Sequence, residues 1–363
     1  MKKPRKPHVP KLKRPAVPKV LRRKQAVEQR ASEAFADVPR ITNETVAEHR
    51  EEVLGSARKY IYPLQHSRRR IVTISASLLI TAVVIFLAYC GLALYKFQST
   101  SGFLYGVTQV IPFPIAKAGP SWVSYESYLF ELRHYTHYYQ TQQQVDFKST
   151  SGKQQLASFK KQALAQVVDD AYVKQLAKTN HVSVSDQQVN DEVSLVQRQN
   201  RLGSSQAEFR AVLSEFWGWD EGDFKRELKQ QLLQQAVVSK LDTATHARAD
   251  SALQQLKTGA DFGTLAASVS DDAGTKGNGG QYPGLIDQSN RDVAPQVTAA
   301  LAKLQPGQVS DIINTGYTLE IVKLLDVQGT KFHAAHIQFN FQPINTYTDP
   351  LQAKHKTHDY IKV

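Results

Sequence analysis

The chain has 363 residues, with 45 Lys and Arg against 33 Asp and Glu, which gives a net charge of +12 at pH 7. The whole surplus lies in residues 1–70, which hold 19 Lys and Arg against 7 Asp and Glu, whereas residues 71–363 hold 26 of each. This distribution excludes a uniformly basic globule and disfavours nucleic acid as a partner of the folded part. A single cysteine, Cys90, excludes internal disulfides and a Cys-rich metal site.

Residues 71–95 form an uncharged apolar stretch. As a helix it would be about 37 Å long, enough to cross a hydrocarbon core of about 30 Å. Arg68, Arg69 and Arg70 precede it, and Lys96 is the one charge within the next 20 residues. The positive-inside rule therefore predicts a single-pass plasma-membrane protein, with residues 1–70 in the cytoplasm and the C-terminal domains extracytoplasmic. The length of the charged leader disfavours the alternative of a cleaved signal peptide.

Residues 1–70 are predicted to be a disordered basic cytoplasmic tail, because Pro and basic residues dominate residues 1–24. Residues 26–59 carry a weak amphipathic helix pattern. Two interpretations of the tail stay open: contact with anionic lipid, or a solvated tail that only fixes topology. Residues 96–122 are rich in Gly, Ser, Pro and aromatic residues, which predicts a spacer, with a short strand at Tyr105–Ile111.

From residue 123 to 242, Gly and Pro are almost absent and apolar residues recur at helical spacing. Breaks fall at Leu202–Ser205 and Trp217–Asp220, which predicts several packed helices. The sequence AYVKQLAKTNHVSVSDQQVNDEVSLVQRQNRLGSSQAEFRAVLSEFWGWDEGDFKRELKQQLLQQAVVSKL resembles the N-terminal helical domain of SurA-type chaperones. The resemblance implies a cradle for unfolded polypeptide. A helical bundle with another task is the alternative.

A second module follows at 243–341. It combines a Gly-Ala-Asp-Phe motif at 259–262, a Ser-Val-Ser-Asp-Asp motif at 268–272, a Gly-rich loop at 274–284 and a Gly-Gln-Val-Ser motif at 307–310. In order and spacing these motifs resemble the parvulin (PpiC-type) peptidyl-prolyl isomerase domain. The resemblance implies an isomerase that twists X-Pro bonds, whose barrier is about 18–20 kcal/mol. No cofactor is implied.

The same resemblance implies the site residues. Asp272 matches a catalytic Cys or Asp of the family, while Glu320 stands where the last strand would carry a His. The positions implied for substrate binding are Val293, Val297, Gly279, Gly280, Glu320 and Tyr317. Val293 and Val297 replace the larger Met and Phe of the family's pocket.

The family's first strand, with an His-Ile motif, is missing before the helix predicted at Ala249–Lys257, because the residues there are too few and too polar. A fitting strand, Phe332–Phe341, instead follows the strand at Tyr317–Val327, with Gly329 in the turn between them. We therefore predict a circularly permuted parvulin sheet with His336 as a catalytic residue; the alternative is the start of a second repeat. A metal site built from the four C-terminal histidines is disfavoured.

The predicted fold is α+β, with a single transmembrane helix, an all-helical chaperone-like domain and a small parvulin-like domain with an antiparallel sheet. The predicted function is a membrane-anchored extracytoplasmic isomerase and chaperone whose partners are unfolded or proline-containing secreted polypeptides. A catalytically inactive holdase or scaffold is the alternative. The predicted domains are 1–70 (tail), 71–95 (membrane helix), 96–122 (spacer), 123–242 (helical domain), 243–341 (parvulin-like domain) and 342–363 (C-terminal segment).

Overall fold

The computed structural model describes residues 27–28, 30, 42–61, 64–198, 205–287, 290 and 292–363. The chain divides into two compact units, residues 1–86 and residues 87–363, which are described separately. The disorder predicted for residues 1–24 and the break at Leu202–Ser205 concern positions that lie wholly or almost wholly outside the described residues.

The first unit contains helix α1 (Asn43–Ile61) and most of helix α2 (Leu64–Gly91). Helix α1 lies within residues 1–70, which were predicted to be disordered, in the part of that tail whose pattern allowed a helix. Helix α2 continues into a π-helical turn, Leu92–Lys96. Residues Arg70–Lys96 have a mean hydropathy of 2.6, so within the described residues they form the one helix long and apolar enough to cross a membrane.

The strand predicted at Tyr105–Ile111 is wrong, because Gly102–Val110 is helix α3. Ser101 caps this helix by accepting a hydrogen bond from the Leu104 N–H. Leu104 and Thr108 are both buried at a spacing of four residues, which is the helical period. The predicted spacer therefore belongs to the folded part of the chain.

A small antiparallel sheet follows α3. Strands β1 (Pro114–Ala118) and β2 (Ser121–Ser124) form a hairpin, and the far edge of β1 pairs with a strand from the C-terminal segment, β6 (Thr357–Asp359). Ile361, just after β6, is buried in the core formed by this sheet and the first helices of the helical domain. The C-terminal segment is therefore part of the helical domain in space.

The helical domain was predicted from apolar spacing, and its helices are α4 (Tyr125–Thr141), α5 (Thr150–Thr179), α6 (Asp186–Arg198), α7 (Gln206–Val212) and α8 (Glu221–Leu241). The predicted apolar stripe of α5, centred on Val167 and Ala171, is buried. The predicted turn is formed at Gly218, which has a φ of +67°, and Asp220 then caps α8 in a capping box.

The parvulin-like domain packs three helices on the two faces of a three-stranded antiparallel sheet. The helices are α9 (Thr243–Lys257), α10 (Phe262–Val269) and α11 (Pro295–Leu301), and the strands are β3 (Ile313–Asn314), β4 (Thr318–Gln328) and β5 (Lys331–Asn340). Helices α9 and α10 cover the face with Ile321 and Ile337, and α11 covers the face with Val322 and Leu324. Both faces of β4 are therefore buried.

The predicted hairpin is confirmed. Strand β5 pairs antiparallel with β4 along its length, from Thr318 opposite Asn340 to Gln328 opposite Lys331, and Gly329 in the turn has a φ of +64°. Strand β5 thus completes this sheet instead of opening a second repeat. After it, helix α12 (Asn345–Lys354) leads to β6 in the other sheet.

Candidate active site

The candidate site is built around His336, a buried residue of β5 that is only 5% exposed. In the β4–β5 register Val322 lies opposite His336 and Glu320 opposite Gln338, so Glu320 and His336 are diagonal neighbours on one face. The His336 Nδ1 atom lies 3.0 Å from Glu320 Oε2, and Nε2 lies 3.0 Å from Asp272 Oδ2. The predicted catalytic pair and Glu320 therefore form one cluster.

The loop after α10 holds Asp272 in place. The Thr275 hydroxyl and the Gly274 N–H both donate hydrogen bonds to the Asp272 carboxylate. The preceding residue, Asp271, is bound by the Arg248 guanidinium at 2.6 and 3.1 Å. These contacts aim the Asp272 carboxylate at the imidazole while leaving 27% of its side chain exposed, so Asp272 is the member of the cluster most accessible to a ligand.

The Gly-Gly pair brings this loop against β5. The His336 N–H donates to the Gly280 carbonyl at 2.8 Å, and Gly280 has a φ of +78°. A Cβ atom at this position would lie 2.2 Å from the His336 carbonyl oxygen. Gly279, with a φ of +65°, packs closely on the backbone of Gly263. Glycine at both positions is therefore explained by backbone contacts, not by an observed contact with substrate.

Two residues of the cluster, Thr275 and Tyr282, were not predicted. The Tyr282 ring stacks on the His336 ring with centroids 4.3 Å apart, and its hydroxyl donates to Glu320 Oε2 at 3.2 Å. The Thr275 hydroxyl lies 2.9 Å from His336 Nε2. Their signal in the sequence is weak: Thr275 follows Asp272 by three residues, and Tyr282 follows the Gly-Gly pair by two.

The electrostatics favour a protonated His336. Burial lowers the pKa of His336, but the hydrogen bonds and negative charges of Glu320 and Asp272 outweigh it, so the pKa lies above its ordinary value. Burial likewise raises the pKa of Asp272, yet hydrogen bonds from Thr275, Gly274 and His336 leave it below its ordinary value. Burial and the Glu320 carboxylate raise the pKa of Tyr282. Because both ring nitrogens face carboxylates, the cluster is an imidazolium held between two acids.

The remaining predicted positions lie elsewhere. Val297 is fully buried, at 0% exposure, in the core between α11 and the sheet, so it does not line an open proline pocket. Val293 is 6% exposed and borders a groove. Tyr317 is 60% exposed on the rim of the same groove, where its hydroxyl is hydrogen-bonded by the Gln231 amide. Within the described residues, none of these three is hydrogen-bonded to His336 or stacked on it, although Val293 and Val297 share an apolar core with Tyr282.

The groove has a cavity volume of about 1400 Å³ and lies between the helical domain and the parvulin-like domain. Its walls come from α6, α8, the residues leading into α11, and the turn from β3 to β4. Apolar side chains lining it include Val184, Leu195, Phe224, Leu228, Leu232 and Val293. A volume above the usual range for small-molecule sites, about 300–1,000 Å³, suits a polypeptide segment better than a small ligand.

Within the part of the chain that the structure describes, no group of three or more His, Cys, Asp or Glu side chains is arranged to hold a metal ion. His355 and His358 lie in the C-terminal segment, and His336 is bound by acids.

Two family descriptions match the chain. Residues 64–238 match the SurA-like N-terminal domain, and residues 231–326 match the PPIC-type PPIASE domain. The chain combines a SurA-like helical domain with a parvulin-type domain. The parvulin-type match ends at residue 326, so β5 and His336 lie beyond it.

Curated relatives are chaperones and foldases by name. The chain is 34% identical over 134 residues to chaperone SurA of Thiobacillus denitrificans, covering 32% of this chain and 28% of that protein. It is 28% identical over 196 residues to foldase protein PrsA 2 of Bacillus cereus, covering 48% of this chain and 66% of that protein. The chain thus spans less than two thirds of the length of each of these relatives.

Among solved structures, the foldase PrsA of Streptococcus pneumoniae is 21% identical and covers 53% of this chain and 77% of that one, with a TM-score of 0.19. Peptidylprolyl isomerase PrsA of Bacillus cereus is 17% identical and covers 57% and 79%, with a TM-score of 0.20. TM-scores this low do not show a shared arrangement of the domains.

Proposed function

We propose that this protein is a membrane-anchored extracytoplasmic peptidyl-prolyl cis-trans isomerase and chaperone that assists the folding of secreted proteins. The observation that carries the isomerase assignment is the cluster of Asp272, His336 and Glu320 inside a parvulin-type domain. The groove between this domain and the SurA-like helices supports the chaperone assignment. The names of the relatives, chaperone and foldase, support both.

The chemistry asked of the site is modest, because no bond to carbon is broken when an X-Pro amide rotates. The site must bind the twisted amide more tightly than the planar one. Twisting returns the lone pair to the amide nitrogen, so a fixed positive charge and hydrogen-bond donors nearby favour the twisted state. His336 is buried and both of its nitrogens face carboxylates, so its role is to hold Asp272 in position, and the part-exposed Asp272 is the polar group that a client reaches first.

The anchor is proposed from Arg70–Lys96, which has the length and hydropathy of a membrane span. The three arginines at 68–70 support a cytoplasmic N-terminus, because basic residues accumulate on the cytoplasmic flank. The basic tail then meets the anionic inner leaflet, where each Lys or Arg near the surface adds about 1 kcal/mol of attraction.

The decisive experiment is a protease-coupled prolyl-peptide assay on the full chain in detergent, comparing wild type with His336→Ala and Asp272→Ala. We expect acceleration above the uncatalysed rate that both variants lower. His333→Ala is the matched control, because His333 is on the same strand, opposite Asp326, and takes no part in the cluster. Wild-type protein that leaves the uncatalysed rate unchanged would sink the isomerase assignment.

A second candidate is a holdase with an inactive parvulin fold. Glu320 in place of a histidine favours it, and so does the full burial of Val297, which leaves that side chain unavailable to a proline ring. This candidate predicts that the full chain suppresses aggregation of an unfolded client while the prolyl-peptide rate stays at background.

A further inference from the structure

The groove between the helical and parvulin-type domains carries an uneven charge. Four carboxylates line it: Asp191 and Glu192 on α6, Glu227 on α8, and Asp292 just before α11. Among the side chains that the structure describes, Lys240 supplies the one ammonium group in its lining. The walls on both sides of the groove therefore carry acids.

Neighbouring cations of α8 are bound to other acids. The Lys229 ammonium lies 2.7 Å from Asp186, and the Arg226 guanidinium binds Glu126 at 2.6 and 3.0 Å. His246, which also lines the groove, lies with its Nε2 2.9 Å from the Ser239 carbonyl. Lys229 and Arg226 are therefore paired with acids outside the groove, so Lys240 is the α8 cation that faces into it.

The groove also offers groups suited to an extended chain. The half-buried Val184, Leu195 and Leu232 present apolar surface. The side-chain amide of Gln296 also lines the groove and can donate and accept hydrogen bonds, as an unpaired peptide backbone requires. The apolar floor, the amide group and the acidic walls together favour a particular kind of peptide over apolar peptides in general.

We propose that this groove selects client segments in which Lys or Arg alternates with apolar residues. This inference rests on the proposed chaperone function and adds the charge of the client to it. Apolar side chains of the segment pack on the floor, while its cations lie against Asp191 on one wall and Asp292 on the other. Complementary charge raises specificity and the rate of encounter more than it raises affinity.

The charge of a bound segment also acts on Glu227. Burial, followed by the nearby charge of Asp170, raises the pKa of Glu227 above its ordinary value. A cation brought into the groove opposes both effects by favouring the ionised carboxylate. An anionic segment would add to the repulsion.

The test uses the full chain in a lipid nanodisc, so that the bilayer keeps the basic tail away from the groove. Three labelled peptides of equal length and without proline share one apolar pattern and carry Lys, Gln or Glu at the alternating positions. Fluorescence anisotropy gives each Kd. We expect the Lys peptide to bind roughly threefold to tenfold more tightly than the Gln peptide, and the Glu peptide to bind most weakly.

The groove variant is Asp191→Asn with Asp292→Asn, and the matched control is Asp311→Asn with Asp326→Asn, two exposed acids outside the groove with the same change in charge. The groove variant should bring the Lys and Gln peptides to within about twofold, whereas the control keeps the wild-type ratio. High salt should narrow the ratio in wild type, since the Debye length falls to about 3 Å at 1 M.

The outcomes separate the two proposals. Equal binding of all three peptides, or a ratio that survives in the groove variant, overturns the charge preference while leaving client binding intact. Absence of binding by any peptide overturns the proposed client site itself. Self-association of the chain that the groove variant abolishes would make a second copy the occupant, which also overturns this inference.

Discussion

The contact between Gly280 and His336 gives the sharpest test of how the site is held. In Gly280→Ala the new Cβ would lie 2.2 Å from the His336 carbonyl oxygen and 3.1 Å from the Ala266 Cβ. The residue would also keep a φ of +78°, which costs an L-residue about 1–2 kcal/mol. Relieving the overlap by shifting backbone adds about 1–3 kcal/mol, for a total of about 2–5 kcal/mol.

Because the clash is with β5, the substitution should lower the free energy needed to open the β4–β5 hairpin by this amount. At about 1.4 kcal/mol per factor of ten, amide exchange in β5 should accelerate roughly thirtyfold to a few thousandfold. Hydrogen exchange by mass spectrometry on the full chain measures this, with the α5 amides as an internal reference. Tryptophan fluorescence is unsuitable, because Trp122, Trp217 and Trp219 all lie in the helical domain and its small sheet.

The matched control is Gly277→Ala in the same loop, where a Cβ would meet nothing within 4 Å. That variant should leave exchange in β5 unchanged or slow it slightly, since Ala restricts the unfolded chain. Equal acceleration in the two variants, or none in Gly280→Ala, would refute the view that the Gly280 contact fixes the position of His336.

Three further predictions concern single side chains. In wild type, the raised pKa of His336 means that its contribution to stability is complete below the unfolded pKa, about 6.5, and is lost as pH rises through the folded value. Glu320→Gln should move that loss to lower pH, as read from the pH profile of β5 exchange after correction for intrinsic rates. Tyr282→Phe removes a hydrogen bond to a buried carboxylate and should cost about 1.5–3 kcal/mol by the same measurement; an unchanged value would mean that ring stacking alone holds Tyr282. Phe209→Ala should destabilise the helical domain by about 3–5 kcal/mol, because Phe209 is fully buried among α6, α7 and α8, and Trp217 fluorescence during urea unfolding would report it.

Much of the fold could be predicted from local sequence patterns. Strands β4 and β5 were predictable because two apolar runs flank Gly329, and their register then brings His336 beside Glu320. Helix α3 was not predictable, since the apolar run in Tyr105–Ile111 matches the strand period as well as the helix period. Tertiary contacts decide between a strand and a helix there.

The site shows a similar limit. Asp272, Gly280 and His336 were found through motifs whose spacing is fixed by local structure. Thr275 and Tyr282 enter the cluster only when the loop folds back on β5, which no periodicity records. Val297 was expected at a pocket because of its position in the motif, but its small side chain is buried between α11 and the sheet.

The pairing of β6 with β1 has a consequence for the order in which the protein is made. Ala116 pairs with Asp359, so strands that are neighbours in space are separated by the entire parvulin-type domain in the sequence. A ribosome supplies the N-terminal partner first, and contacts this distant in sequence form slowly. Until residues 357–361 emerge, the β1 edge is unpaired and the place of Ile361 in the core is empty. Residues 357–361, which are made after the parvulin-type domain, therefore complete the sheet and core of the domain that was begun first, so the parvulin-type domain can reach its native structure before the helical domain does.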